Sequence, residues 1–181
     1  MIVVIVGKPA SGKTTAANAL KDLGFSVAST GDVIRDEIKR RGLPYTKEMD
    51  AEIGEWFHQG REGLIIQRLL DRVSGNKIVI EGLRDPLQLR ELEKRTGEKP
   101  IIIAIETPFN VRLEREMVRS RFPNETENYL REREERESRH GENELIKMAD
   151  YVVSNENISL EEFKKKVRDL VKNYVLFKNK A

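Results

Sequence analysis

Short apolar runs separated by amphipathic stretches set the rhythm of this chain. Ile2 to Val6 is unbroken Val and Ile, which reads as a strand buried on both faces. Phe25 to Ser29, Lys77 to Ile80, Ile101 to Ile105 and Tyr151 to Val153 read as four more strands. Thr14 to Lys21 suits a helix that Gly24 stops. Asp85 and Thr107 each stand as an N-cap, with Pro86 and Pro108 in the following first turn. Ser159 and Glu162 make a capping box for a last helix, whose apolar positions Leu160, Phe163, Val167, Leu170, Val171 and Tyr174 keep helical spacing. Strands alternating with helices predict an α/β fold of three layers around a five-stranded parallel sheet. In such a sheet a ligand lies beyond the carboxyl ends of the strands. The loops after Val6, Ser29, Ile80, Ile105 and Val153 are therefore expected to meet at one crevice.

Two stretches break the alternation. From Asp32 to Val73 about three helical patterns stand where one crossover helix would do. Met49, Ile53, Trp56 and Phe57 form one apolar stripe, and Ile65, Ile66, Leu69, Leu70 and Val73 another. Gly42 with Pro44, then Gly60 and Gly63, punctuate them as candidate hinges. The Trp56 stripe is expected to be a small packed subdomain rather than a base-stacking platform. The second stretch, Arg112 to Arg139, holds eight arginines, eight glutamates and no lysine. A guanidinium fork matches phosphate oxygens as an ammonium cannot. Pairs such as Glu132 with Arg136 and Glu135 with Arg139 also suit a salt-bridged, solvated helix. The division expected is a single domain with core 1–31, 74–118 and 144–181, a helical insertion at 32–73 and an Arg-rich lid at 119–143.

Composition narrows the possibilities. A chain of 181 residues supports one well-buried core. With 33 Lys+Arg against 31 Asp+Glu, no global field calls for nucleic acid or an anionic membrane as partner. The absence of cysteine excludes disulfides and thiolate chemistry. The first apolar run is too short to span a bilayer and lacks a basic lead-in, so a soluble cytoplasmic protein is expected. His58 and His140 are the only histidines, expected at helix ends rather than on a metal.

The strongest chemical signal follows the first strand. Gly7-Lys8-Pro9-Ala10-Ser11-Gly12-Lys13-Thr14 fits G-x-x-x-x-G-K-[ST] at every fixed position. This is a phosphate-binding loop, and it makes the α/β expectation a P-loop NTPase fold. Its glycines allow a tight turn that points successive N–H groups and a helix N-terminus at a polyphosphate. Lys13 is expected to reach the β- and γ-phosphates of ATP, and the Thr14 hydroxyl to sit on Mg²⁺, with Thr15 continuing the site.

Further along, Ser29-Thr30-Gly31-Asp32-Val33-Ile34-Arg35 closely resembles the signature that follows strand two in adenylate kinases and related nucleoside monophosphate kinases. Glu81-Gly82-Leu83-Arg84 resembles their Asp-Gly-Phe-Pro-Arg, with Glu for Asp and one residue fewer before the arginine. Gln88 stands where the family has a glutamine that recognises the acceptor adenine. The whole pattern is similar to a group of adenylate-kinase-related proteins known mainly from archaea. The resemblance implies a phosphotransferase using ATP and Mg²⁺. Arg35 and Arg84 would clamp the acceptor phosphate, Thr30 and Gln88 would contact its nucleoside, and Thr14, Asp32 and Glu81 would serve the metal. Arg115, Arg119, Arg133 and Arg136 would close on the transferring group, and one of Arg115 and Arg119 would stack on the donor adenine beside Ser154-Asn155.

The two departures in the second motif alter the floor of the acceptor site, so AMP is the leading acceptor among several. A dephospho-CoA kinase would use a hydroxyl acceptor with Asp32 as general base. An ATPase driving assembly of RNA–protein particles belongs to another class on the same fold. A GTP switch lacks its base-reading motif, since Asn76-Lys77-Ile78-Val79 has no final Asp.

Overall fold

The computed structural model describes residues 1–119, 122 and 126–178. Arg121, one of the eight arginines counted above, lies outside them. Five strands, β1 (Ile2–Val6), β2 (Ser26–Ser29), β3 (Ile78–Glu81), β4 (Ile101–Glu106) and β5 (Tyr151–Ser154), form one sheet in the order β2-β3-β1-β4-β5. Every pairing is parallel. The nine helices among the described residues are α1 (Lys13–Ala19), α2 (Thr30–Arg40), α3 (Lys47–Phe57), α4 (Glu62–Leu70), α5 (Pro86–Thr96), α6 (Phe109–Arg119), α7 (Glu127–His140), α8 (Glu142–Lys147) and α9 (Leu160–Lys178). None of the described helices is long and apolar enough to cross a membrane.

Side-chain alternation along β1 divides the interior. Ile2, Val4 and Val6 join Ile80, Ile102 and the apolar faces of α2 to α5 and α8. Val3 and Ile5 join Val79, Ile103, α1 and α9 on the opposite face. An unbroken apolar strand is what two covered faces require.

The predicted elements differ from the observed ones mainly at their ends. The first helix closes as α1 at Ala19 and tightens into a 3₁₀ turn, Leu20–Leu23, before Gly24 ends it in a left-handed conformation. Asp85 accepts the Leu87 N–H as an N-cap, and Ser159 and Glu162 exchange the bonds of a capping box. Thr107 does not cap α6. Its hydroxyl donates instead to Ser11 O at 3.0 Å, tying the end of β4 to the phosphate loop.

Residues 32–73, the expected insertion, hold most of α2 and all of α3 and α4, with Gly42 and Gly60 at left-handed positions after α2 and α3. Trp56 lies between the Arg41 and Arg61 guanidiniums, 4.4 and 4.5 Å from its ring centre. That arrangement is internal packing. Glu37 is fully buried and accepts from Arg40, Arg41 and Arg68. Hydrogen bonding by Arg40 chiefly, helped by Arg68 and Arg41 against the opposing effect of burial, holds its carboxyl well below the usual range. Glu37→Ala would strand three cations around a void. The expected loss of stability is about 2 kcal/mol, reduced because the guanidiniums still reach water, and a urea midpoint measures it.

Candidate active site

A parallel sheet brings all strand carboxyl ends to one edge, and β1 lies where the strand order reverses, between β3 and β4. The register aligns Ile5 with Glu81 and Ser29 with Glu81, which sets the three loop entrances side by side. Above them opens a cleft of about 440 Å³ lined by Ala10 to Thr15, Ser29 to Asp32, Ile34, Arg35, Asp50, Glu81, Gly82, Arg84, Arg115, Glu116, Arg119 and Arg133.

The phosphate loop is held by its neighbours. Gly7 adopts φ 143°, and a Cβ there would lie 2.6 Å from Ile105 O, so only glycine lets the loop pass β4. Ser11 O accepts from Thr107, from Asn155 Nδ2 at 2.9 Å and from Arg115 Nη1 at 3.4 Å. Pro9 O accepts from Arg112, which also pairs with Glu134. Lys8 donates to Ser138 Oγ at 2.9 Å and meets Glu142 at 3.0 Å. The loop is thus fastened to β4, β5, α6 and α7 at once.

Lys13 curls back, donating to Gly7 O and to Lys8 O. Burial pulls its pKa down, and Glu142, Glu137 and Glu81 oppose that shift. Ser11 Oγ is buried without a hydrogen-bond partner, a polar atom that a phosphate oxygen would satisfy. Thr14 Oγ1 donates to Glu81 Oε1 at 3.0 Å. A hydroxyl and a carboxylate side by side at the foot of the loop are hard oxygen donors suited to Mg²⁺, which keeps several waters of its own. No group of three or more His, Asp or Glu residues forms a metal cage among the described residues. Asp32, the third metal candidate, is paired with Arg35 instead.

Opposite the loop, Thr30 and Arg84 meet across Gly82. Thr30 Oγ1 donates to Gly82 O at 2.8 Å and accepts from Arg84 Nη1 at 3.3 Å. Gly82 has φ 87°, and a Cβ there would lie 2.5 Å from Thr30 Oγ1. Of the predicted acceptor set, Thr30, Asp32, Arg35 and Arg84 line the cleft. Gln88 does not. It is 1% exposed, and its Oε1 accepts the Arg84 N–H at 3.1 Å, so it braces the arginine's backbone.

Arg115, Arg119 and Arg133 line the cleft. Arg136 lines a small adjoining pocket with His58, Arg84, Glu137 and His140. The predicted Glu135–Arg139 pair forms at 3.3 Å, whereas Arg136 turns inward and forms no pair with Glu132. Asn155 is 5% exposed, and its side-chain amide donates to the phosphate loop at Ser11 O.

The histidines end α3 and α7, as predicted, but they are stacked on each other. Their rings lie 3.8 Å apart, with His58 facing Asp85 and His140 facing Glu55. Tyr45, Phe122 and Tyr129 add aromatic contacts, which join the connection after α2 to the start of α7. Sequence reasoning missed Asp50, Glu116, Glu137 and Glu142. The last three are buried acids, identifiable only once segments distant in sequence are brought together.

A strand, a glycine loop closing on Lys13 and Thr14, and a cationic cleft at the switch point define a P-loop protein of the kinase type. The chain belongs to the AAA-domain family whose model matches residues 6–144, and to the UPF0200 proteins. A UPF0200 protein of Pyrococcus horikoshii is 34% identical, the match covering 94% of this chain and 96% of the relative. A UPF0200/UPF0201 protein of Archaeoglobus fulgidus is also 34% identical, and there the chain spans about half the relative's length, 54%. Shikimate kinase from Acinetobacter baumannii, solved in complex with shikimate, superposes with a TM-score of 0.65 at 18% identity, covering 96% of this chain and 93% of that one. The Aquifex aeolicus enzyme gives 0.62 at 19%, covering 97% and 99%. That likeness carries the fold.

Proposed function

We propose that this chain transfers the γ-phosphoryl group of ATP to a small nucleotide acceptor, a nucleoside monophosphate such as AMP being the first choice. The observation that carries the reading is a single cleft running from Lys13 and Thr14 to Arg35 and Arg84, with Arg115, Arg119 and Arg133 on its walls. Two phosphate-bearing ligands sharing one cationic cavity is the arrangement phosphoryl transfer needs, because that chemistry is mostly positioning and charge neutralisation.

In this reading the loop amides and Lys13 hold the donor, and Arg35 and Arg84 orient the acceptor phosphate. Arg115, Arg119 and Arg133 offset charge on the transferring group, with Arg136 joining them from the adjoining pocket. Thr14 and Glu81 would hold Mg²⁺ directly or through water, with Asp32 available in the outer sphere. When bound, the ion neutralises the β- and γ-oxygens. The covering segment of α7 excludes water, which separates a transferase from a hydrolase.

A hydroxyl acceptor is the second reading, and one observation favours it. Gln88 is turned away from the cleft, which removes the expected adenine reader, while Asp32 faces the cavity where a general base would stand. An acceptor panel distinguishes them: AMP, other nucleoside monophosphates, dephospho-CoA and shikimate, each with Mg-ATP. One compound is expected to raise ATP consumption about 100-fold over the basal rate. Acceptor-independent phosphate release that RNA stimulates would replace both readings with an ATPase.

A further inference from the structure

Glu137 lies on α7 and pairs with arginines from two segments. Its Oε1 is 3.0 Å from Arg84 Nε, beyond β3, and 2.9 Å from Arg133 Nε, one turn back on its own helix. Both guanidiniums line the cleft, yet both are contacted through the inner nitrogen of the fork. Arg133 also meets Glu116 Oε1 at 3.4 Å, and Arg84 reaches Thr30. Two cations that the phosphoryl-transfer reading assigns to acceptor and transferring group therefore converge on one buried carboxylate.

Like charges so placed repel unless something negative stands among them. Glu137 is 3% exposed, and its Oε2 has no hydrogen-bond partner. Burial alone would raise its pKa, but Arg84 and Arg133 outweigh burial and hold it well below the carboxylate range. Its neighbour Glu142 moves the opposite way, raised by burial and by Glu137 itself. Glu137 therefore stands where the two arginines meet.

We propose that Glu137 is a positioning residue, an internal counter-anion that fixes Arg84 and Arg133 side by side before any phosphate enters the cleft. It touches neither reactant. Holding each fork from its inner nitrogen, it registers the α7 arginine against the acceptor-side arginine, so that incoming phosphate meets a preassembled pair. The proposal rests on the phosphoryl-transfer reading for its kinetic consequence, but its electrostatic consequence is independent of any activity.

Two measurements on the full chain test it. Glu137→Ala is expected to lower the thermal midpoint by about 10 °C. Inorganic phosphate should restore at least half of that loss, while chloride at equal ionic strength does not, because the vacated space accepts a small anion between two guanidiniums. Should Glu137→Ala not fold, Glu137→Gln and the double variant Glu137→Gln/Arg84→Gln give the same information. The double variant should melt higher than the single one, since it removes the cation left unpaired, while Arg133 keeps Glu116. In the transferase assay Glu137→Gln should lower kcat/KM for the acceptor about 100-fold, with the ATP KM within about threefold of wild type. Phosphate rescue no greater than in wild type, a double variant less stable than the single, or equal movement of both KM values would each overturn the proposal. If wild type transfers nothing, the phosphoryl-transfer reading fails while the melting data still decide the role of Glu137.

Discussion

Lys13→Ala is expected to lower nucleotide turnover about 1000-fold or more while leaving the fold intact. In the structure the ammonium does little for stability. It lies over its own loop and donates to Gly7 O and Lys8 O, two carbonyls at the mouth of the cleft. The loop backbone is held from outside by Thr107, Asn155 and Arg112, none of which the substitution touches. What disappears is the one cation at the loop's centre, the group that would follow negative charge onto the β–γ bridge as the bond breaks. The loop amides remain, so ADP should bind nearly as before while ATP loses affinity. Calorimetry with ADP and ATP, beside steady-state turnover, separates the two. Turnover within about tenfold of wild type would place the chemistry away from this loop. The variant serves transferase and ATPase readings alike and so establishes only where phosphate is handled.

The sheet was legible because burial on two faces leaves no room for polar interruption. The apolar runs predicted all five strands to within a residue or so at their ends. Their small errors are instructive. The run after Lys77 was read as ending at Ile80, yet the strand continues to Glu81, which stays in register with Ile5 and Ser29. A carboxylate at the end of a buried strand breaks the hydrophobic pattern for the reason that makes it useful, since it meets Thr14 there.

The phosphate loop was legible because backbone geometry dictates its glycines. Which residues line the cleft opposite the loop was legible only where a short motif carries its own local structure, as with Thr30, Asp32, Arg35 and Arg84. Gln88 was placed by counting residues from Arg84, but spacing along α5 does not say which face is buried, and here the amide folds back on the Arg84 N–H. The arginine-rich stretch reads from sequence as a lid, with i,i+4 pairs along one helix as the alternative. The decisive pairs instead run between segments, Arg133 with Glu116 and Arg84 with Glu137, and contacts between remote positions leave no periodic trace.

Arg84→Ala is expected to raise the acceptor KM about 100-fold and leave basal ATP hydrolysis nearly unchanged. The argument starts from where this guanidinium is held. Its side chain is 17% exposed, fixed by Glu137 at 3.0 Å and Thr30 at 3.3 Å, and its backbone is braced by Gln88. Burial would lower its pKa, but Glu137 more than compensates and raises it, so the charge is permanent. It faces the cleft from the β3 side, beside Thr30, and water needs no such clamp to attack ATP. Loss of Arg84 therefore removes acceptor binding without touching the donor, which makes the ratio of transferase to hydrolase activity the informative measurement. Arg84→Lys should recover little, because an ammonium keeps the charge but not the fork that reaches Thr30, Glu137 and an incoming phosphate together. Equal losses of transfer and hydrolysis would mean that Arg84 belongs to the donor site, and the division of the cleft into two halves would have to be redrawn.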